Sequence, residues 1–343
     1  MPVKEATVAV LGATGAVGEQ ILRNLEKRSF PLKDLRLLAS KRSAGKKVRF
    51  NGGEVTVQEA TPEAFEGVDI ALFSAGGSVS EKFAPEAVKR GAVVVDNTNA
   101  FRMDPEVPLI VPEVNKEEIK HHKGIIANPN CSTIQMVVAL KPLYDRFGFD
   151  RVIVSTYQAV SGSGAKAMEE LNEQSRAVLE GREVVKKIMP VGKLDKHYQI
   201  AFNALPQCDV AQENGFTLEE MKMVRETKKI FGDEQIGVTA TCVRVPVQRG
   251  HSESIYVELK KDFDLEEVRQ ALREADGVIL EDDIHNQVYP TPLDSAGRDE
   301  VFVGRVRKDT VHPKGLNLWV VSDNLLKGAA TNAVQIAEHL VRE

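Results

Sequence analysis

The sequence predicts an α/β protein whose N-terminal part is a doubly wound parallel sheet. Three observations lead to this prediction. A short apolar run at 7–11 is followed by a glycine-rich turn and an amphipathic run at 20–25. Apolar runs at 35–39, 70–74 and 93–96 then alternate with helix-like segments. Because ligands bind at the carboxyl ends of the strands in such a sheet, the residues that follow each run are the first candidates for a site.

Length and composition narrow the class of protein. The 343 residues suffice for two domains. A net charge of −5 gives no electrostatic footprint for nucleic acid. No apolar stretch reaches membrane-spanning length, and we expect no signal peptide because the N-terminus runs directly into a strand. Three cysteines without a close-spaced pair predict neither a disulfide framework nor a metal site, and they fit a reducing cytoplasm.

Glycines at 12, 15 and 18 stand between the first predicted strand and the first predicted helix. This spacing is typical of a dinucleotide-binding turn, since glycine allows a tight bend and a close approach of the backbone to a pyrophosphate. The pyrophosphate would bind at the N-terminus of the helix. The alternative is a tight turn that holds no ligand.

The residues after the second strand indicate which dinucleotide binds. An NAD site would place an acidic residue here for the ribose 2′-hydroxyl. The chain instead has two basic and two hydroxyl side chains, Ser40-Lys41-Arg42-Ser43, which suit a 2′-phosphate. We therefore expect NADP, the alternative being a solvated basic loop. After the strand at 93–96, Arg102 is a candidate anion clamp or, equally, a surface ion-pair residue.

Cys131 is the candidate nucleophile. An apolar run at 125–127 enters a polar turn, in which Pro129 fixes the entry and Asn130 is a plausible N-cap. Cys131 would then lie in the first turn of a helix, where free backbone N–H groups and the helix dipole favour a thiolate. The alternative is a small buried cysteine, which is our interpretation of Cys208 and Cys242.

The C-terminal part offers several polar side chains near predicted element ends. Gln158 lies near the end of a β-like run at 151–160, where it could orient a reacting oxygen or be structural. A helix is predicted at 165–179. Thr217 and Glu220 form a capping box, and Glu219 shares a helix face with Lys222, either as a functional pair or as a surface ion pair.

The runs at 239–247 and 255–259 predict an antiparallel hairpin with His251 in its turn. His251 there would titrate near neutral pH, as a catalytic base or as a plain surface residue. Arg244 and Cys242 would point to the same side of their strand. An amphipathic helix is predicted from 323 to the C-terminus.

With these pieces together, the chain resembles the aspartate-β-semialdehyde dehydrogenase family over essentially its whole length. The Asn-Cys segment combined with the Gly-His-Ser turn is highly specific. The motifs that carry the resemblance are Gly12-Ala13-Thr14-Gly15-Ala16-Val17-Gly18, Asn128-Pro129-Asn130-Cys131-Ser132-Thr133, Phe202-Asn203-Ala204-Leu205-Pro206-Gln207, Arg249-Gly250-His251-Ser252 and Asp323-Asn324-Leu325.

The resemblance implies a Rossmann-like NADP-binding domain, 1–130 plus 323–343, completed by the C-terminal helix. It also implies an α+β catalytic and dimerisation domain, 131–322, whose mixed sheet forms a homodimer. The implied reaction is the reversible NADPH-dependent reductive dephosphorylation of L-4-aspartyl phosphate to L-aspartate 4-semialdehyde through a thioester on Cys131. It would serve the cytoplasmic biosynthesis of lysine and diaminopimelate, threonine, methionine and isoleucine.

The resemblance also implies a role for each candidate residue. Cys131 is the nucleophile, His251 the acid/base, and Gln158 orients the substrate. Four charged residues bind substrate groups: Arg244 the α-carboxylate, Glu219 the α-ammonium, Arg102 and Lys222 the phosphate. The implied NADP contacts are Gly12, Thr14, Gly15, Ala16, Val17, Arg42, Ser43, Ser161, Gly162 and Asn324.

Three rival functions stay in view. An N-acetyl-glutamyl-phosphate reductase would use the same cysteine logic, but its acylated amine is uncharged and would leave Glu219 without an ammonium to pair. A glyceraldehyde-phosphate-type dehydrogenase fits less well, because the loop of Arg42 favours NADP. A non-catalytic NADP-binding regulator would not need a cysteine, a histidine and four charged residues together.

Overall fold

The computed structural model describes residues 4–342; residues 1–3 and 343, which the predicted domain ranges include, lie outside them. The chain divides into two compact units. The first is Met1–Asn130 with Ala329–Glu343, and the second is Cys131–Gly328. Residues 323–328, predicted with the nucleotide domain, belong to the second unit. No helix within residues 4–342 is long and apolar enough to cross a membrane.

The strands in chain order are β1 (Ala6–Leu11), β2 (Leu32–Ala39), β3 (Lys47–Phe50), β4 (Gly53–Thr56), β5 (Gln58–Glu59), β6 (Ile70–Phe73), β7 (Val93–Asp96), β8 (Ile125–Ala127), β9 (Phe149–Gln158), β10 (Gly237–Arg244), β11 (His251–Leu259), β12 (Val278–Leu280), β13 (Val301–Lys308) and β14 (Gly315–Ser322). The α-helices are α1 (Ala16–Lys27), α2 (Gly77–Lys89), α3 (Pro112–Asn115), α4 (Cys131–Phe147), α5 (Ala165–Leu179), α6 (Leu218–Phe231), α7 (Leu265–Glu274), α8 (Pro292–Ser295) and α9 (Thr331–Leu340). Short 3₁₀ helices are Pro62–Phe65, Lys116–His121 and Val160–Ser163, and a π-helical turn, Leu326–Ala330, precedes α9.

The first unit contains the predicted doubly wound parallel sheet. Its strand order is β5-β2-β1-β6-β7-β8, and every neighbouring pair is parallel. Along β1, Val8 and Val10 pack with residues of α1 and α9, whereas Ala9 and Leu11 pack with residues of α2. Strands that are apolar on both faces need helices on both faces, which is why β1 is a continuous apolar run.

The second unit contains a mixed sheet of order β10-β9-β11-β14-β13-β12. β9 pairs parallel to β10 and antiparallel to β11. The predicted hairpin of β10 and β11 is therefore wrong, and His251 is the first residue of β11 instead of a turn residue. The hairpin prediction used closeness in sequence, whereas the long strand β9 satisfies the hydrogen-bonding groups on both its edges by lying between the two.

The two faces of this second sheet differ. Thr156, Gln158 and Glu253 point to the buried face, against which α4 and α6 pack. Ile153 and Tyr157 alternate with them and are each 38% exposed on the opposite face. The period of two along a strand thus places the polar side chains of the candidate site on the buried face, and Ile153 and Tyr157 on the open face.

Candidate active site

The glycine turn of the first unit has the geometry that a dinucleotide requires. Gly12 follows β1 with a φ of +91°, and a Cβ there would lie 2.9 Å from the main chain of Ser74. A Cβ on Gly18 would collide with the carbonyl oxygen of Gly12. α1 begins at Ala16, and its N-cap residue is Gly15. Within residues 4–342, no side-chain hydrogen bond caps the first turn of this helix. Its N–H groups are suited to an anion.

The loop after β2 carries the predicted 2′-phosphate residues. Arg42 is exposed and Ser43 is buried. The main chain of the loop is closed by a hydrogen bond from Ser43 N to Ser40 O at 2.8 Å. This turn presents a cation to solvent, which is compatible with binding a phosphate.

Arg102 follows β7 and is buried, with 7% of its surface exposed. Its Nε donates to Asn128 O at 2.9 Å and its Nη2 to Asn97 O at 2.8 Å. Main-chain carbonyls thus hold the guanidinium in one orientation. This burial disfavours the alternative of an exposed surface ion pair.

Cys131 is the first residue of α4, in agreement with its predicted position in the first turn of a helix. The residue is half-buried. Gly328 packs against it closely enough that an added Cβ would lie 2.9 Å from the Cβ of Cys131. The other two cysteines are buried, as expected. Burial raises the pKa of Cys208 to about 12 and also raises the pKa of Cys242. These two thiols are therefore poorly reactive at neutral pH.

Gln158 connects the start of α4 with α6. It is the last residue of β9 and is 1% exposed. Its Nε2 donates to Ser132 Oγ at 2.5 Å and to Glu219 Oε1 at 3.1 Å. Ser132 is the neighbour of Cys131, so a neutral amide stands beside both the thiol-bearing turn and a carboxylate.

The pair of Glu219 and Lys222 is largely buried, so it is not the surface ion pair of the alternative interpretation. Lys222 Nζ lies 3.0 Å from Glu219 Oε2 and 2.7 Å from Asp209 Oδ2. Burial by itself lowers the pKa of Lys222, but the two carboxylates raise it above its ordinary value. Asp209 carries no sequence signal of this role, because only the fold brings it to α6. The predicted capping box of Thr217 and Glu220 is confirmed.

The main chain of Ala159, just after β9, joins two predicted site residues. Arg244 Nη1 donates to Ala159 O at 2.6 Å, and Ala159 N donates to His251 Nδ1 at 3.0 Å. Gly162 lies beside both, since a Cβ there would be 3.0 Å from Arg244 Nη1 and 3.3 Å from His251 Nε2. The Arg244 guanidinium and the His251 imidazole therefore both lie next to Gly162.

The environment of His251 sets its protonation. Burial, reinforced by the charge of Arg244, lowers the pKa of His251 to about 3. The expectation that His251 titrates near neutral pH is wrong, because burial removes the water that would stabilise the charged imidazolium. Nδ1 accepts a hydrogen bond, which places the proton on Nε2. Nε2 has no hydrogen-bond partner among residues 4–342, so it is free to donate to a substrate atom.

Three of the predicted cofactor residues lie beside His251. Asn324 hydrogen-bonds Ser161 Oγ through its amide at 3.0 Å, and its Oδ1 accepts from Gly250 N at 3.0 Å. Asp323, which forms an ion pair with Arg249 at 2.5 Å, anchors the same segment. Ser161, Gly162 and Asn324 are thus grouped in the second unit, whereas the other predicted cofactor residues lie in the first.

Two family models match the chain. "Semialdehyde dehydrogenase, NAD binding domain" matches residues 7–122, and "Semialdehyde dehydrogenase, dimerisation domain" matches residues 140–327. The chain is 61% identical to aspartate-semialdehyde dehydrogenase of Bacillus subtilis, covering 97% of this chain and 96% of the relative.

Solved structures agree with these matches. Aspartate semialdehyde dehydrogenase II of Vibrio cholerae, complexed with ASA, superposes with a TM-score of 0.94 at 51% identity over 99% of both chains. The Candida albicans enzyme with NADP superposes with a TM-score of 0.75 at 28% identity over 98% of both chains. Together, the matched models, the identity over nearly the full length and the shared fold show that this chain belongs to the aspartate-semialdehyde dehydrogenase family of oxidoreductases.

Proposed function

We propose that this chain catalyses the reversible NADPH-dependent reductive dephosphorylation of L-4-aspartyl phosphate to L-aspartate 4-semialdehyde and phosphate. The observation that carries the proposal is the position of Gln158. Its amide hydrogen-bonds both Ser132, next to Cys131, and Glu219. A nucleophile, an orienting amide and a carboxylate for an ammonium group thus occur together in the second unit. The Vibrio cholerae relative complexed with ASA supports this substrate.

The cofactor that we propose is NADP. The close packing at Gly12 and the uncapped start of α1 fit a pyrophosphate, and the exposed Arg42 fits a 2′-phosphate. The Candida albicans relative with NADP supports the same cofactor. When bound, NADPH supplies the hydride that the reaction consumes. The residues proposed to hold it are Gly12, Thr14, Gly15, Ala16, Val17, Arg42, Ser43, Ser161, Gly162 and Asn324.

Cys131 is the proposed nucleophile. As the thiolate, its sulfur attacks the acyl carbon of the substrate, a C–S bond forms, and phosphate leaves with the electron pair of the broken C–O bond. The start of α4 favours the thiolate. Lys222 keeps its positive charge at neutral pH, which suits a proposed contact to phosphate. Arg102 in the first unit, with its buried and oriented guanidinium, is also a proposed phosphate ligand.

The remaining residues hold and polarise the substrate. Arg244 is proposed to bind the α-carboxylate, because a guanidinium fork pairs two oxygens at once. Glu219 is proposed to bind the α-ammonium, and Gln158 orients the reacting group. His251 is proposed to manage the proton: its Nε2–H donates to the carbonyl oxygen that becomes negative when hydride adds to the thioester. When the thiohemiacetal collapses, this oxygen re-forms the C=O bond and the electron pair of the broken C–S bond returns to the Cys131 sulfur.

We further propose a homodimer formed through the second unit. The exposed side chains Ile153 and Tyr157 lie on the open face of the mixed sheet, and Tyr157 stacks near Trp319 with ring centroids 5.6 Å apart. Exposed apolar side chains on a sheet face are suited to burial against a second copy. The matched dimerisation model covers this sheet. The enzyme would act in the cytoplasm, in the synthesis of lysine and diaminopimelate, threonine, methionine and isoleucine.

The experiment that tests the proposed function is a phosphate-dependent assay of NADP⁺ reduction. L-Aspartate semialdehyde and N-acetyl-glutamate semialdehyde are compared at equal concentrations. Turnover of the first alone supports the proposal, because Glu219 has an ammonium to pair only in that substrate. Faster turnover of the N-acetylated aldehyde would favour the reductase alternative, and NADP binding without any turnover would favour the regulator.

A further inference from the structure

A second layer of buried polar side chains lies directly behind the candidate site in the second unit. Gln135 follows Cys131 by one turn of α4, Glu253 follows His251 by two residues on β11, and Thr156 precedes Gln158 by two on β9. Residues four apart on a helix, or two apart on a strand, share a face. Each of these three residues therefore stands behind a proposed site residue.

The members of this layer meet one another. Glu253 is directly opposite Thr156 in the antiparallel pair of β11 and β9, so their side chains are neighbours on one face. Ser322 Oγ donates to Gln135 Oε1 at 2.8 Å. Gln135, Thr156 and Glu253 are all completely buried.

Several polar atoms of this layer lack a hydrogen-bond partner of normal geometry. Neither the Gln135 Nε2, the Thr156 Oγ1 nor the two carboxyl oxygens of Glu253 have a partner of normal geometry among residues 4–342. Burial raises the pKa of Glu253 well above its ordinary value, and only the nearby Gln135 amide opposes this shift. Within residues 4–342, no cationic side chain contributes to this shift in the pKa of Glu253. Burying a carboxylate without a cation costs desolvation free energy. A protonated carboxyl instead has one O–H donor and acceptor oxygens, with which it can hydrogen-bond an amide and a hydroxyl.

We propose that Glu253 is a positioning residue, an uncharged carboxylic acid that ties α4 to β9 through Gln135 and Thr156 and so holds Cys131 and Gln158 toward the substrate. The inference rests on the proposed function of Cys131. The Glu253 side chain must be uncharged for this role, because a negative carboxylate behind Cys131 would oppose formation of the thiolate.

The protonation state is tested by infrared difference spectroscopy of wild-type protein and Glu253→Gln at neutral pH. The difference should contain the carbonyl-stretch band of a protonated carboxylic acid, which shifts in D₂O. Glu258→Gln, on the same strand but partly exposed, is the matched control and should give no such band. A carboxylate band in place of the acid band for Glu253 would overturn the proposal.

The positioning role is tested by the rate at which iodoacetamide alkylates Cys131 as a function of pH, with Cys131→Ala as the blank. Glu253→Gln should keep the rate within about threefold and leave the midpoint of the pH profile in place, because glutamine preserves a neutral hydrogen-bonding group. Glu253→Leu should slow alkylation by about tenfold or more. A displaced midpoint in Glu253→Gln, or wild-type behaviour of Glu253→Leu, would each refute the role.

Glu253→Leu removes the carboxyl group proposed to bond Gln135 Nε2 and Thr156 Oγ1, so its folding is checked by circular dichroism. If it does not fold, Glu253→Gln and the infrared band still decide the matter. Neither measurement uses substrate or NADP. Their outcome is therefore independent of the turnover assay, and failure of the proposed reaction can be told from failure of this inference.

Discussion

Ala159 donates its main-chain N–H to Nδ1 of His251 at 3.0 Å. The bond selects the neutral tautomer with its proton on Nε2, and full burial lowers the pKa of the ring to about 3. His251 is thus placed as a hydrogen-bond donor at neutral pH, held by the same residue whose carbonyl accepts from Arg244.

The lowered pKa of His251 makes stability depend on pH. Its ordinary value of 6.5 exceeds the folded value of about 3, so the unfolded chain binds more protons between these values. The contribution of neutral His251 is fully present above pH 6.5 and is lost as the pH falls toward 3. His251→Asn, which keeps an acceptor for Ala159 but does not titrate, should lose free energy of unfolding less steeply over pH 6.5 to 4. Urea unfolding at several pH values checks this; parallel curves would contradict it.

Cys131→Ala should abolish turnover while NADPH binding is retained, because the glycine turn lies in the other unit. The assay described above measures the first effect and quenching or enhancement of NADPH fluorescence measures the second. Cys208→Ala is the control, since its buried thiol should be dispensable and the rate should stay within about threefold. Appreciable activity in Cys131→Ala would remove the sulfur from the mechanism.

Arg244→Lys should lower kcat/KM by about 10² or more, if a bidentate carboxylate contact is lost. Lysine lacks the planar fork with which a guanidinium presents two parallel N–H donors to a carboxylate while another N–H bonds Ala159 O. Steady-state kinetics with L-aspartate semialdehyde measure the loss. Arg225→Lys, an exposed substitution on α6, is the matched control. Equal kcat/KM for the two variants would take Arg244 out of the substrate site.

Arg42→Ala should erode the preference for NADP over NAD, since an exposed cation at the end of β2 is the proposed reader of the 2′-phosphate. KM for NADP⁺ should rise about tenfold or more, with little change for NAD⁺. Arg49→Ala, an exposed arginine on β3, controls for loss of charge. An equal loss with both cofactors would show that Arg42 does not read the phosphate.

Much of the local structure could be predicted, because its causes lie within a few residues. Gly18 is required by its close contact with the Gly12 carbonyl oxygen in the same turn, and the hydroxyl of Thr217 with the carboxylate of Glu220 closes a single helical turn. The first-turn position of Cys131 follows in the same way from the polar turn before α4. Hydrophobic periodicity likewise predicted the parallel sheet, since β1 is apolar on both faces.

By itself, then, the sequence determined the nucleotide turn, the start of the cysteine helix, the helix cap and the family. Tertiary structure decided what depends on distant residues. It inserted β9 between β10 and β11, where the sequence predicted a hairpin, and brought Asp209 to Lys222. It also lowered the pKa of His251 and raised the pKa of Glu253. Desolvation is the physical reason: the cost of a charge depends on everything packed around it, and for these two side chains that surrounding comes from several strands and helices far apart in the chain.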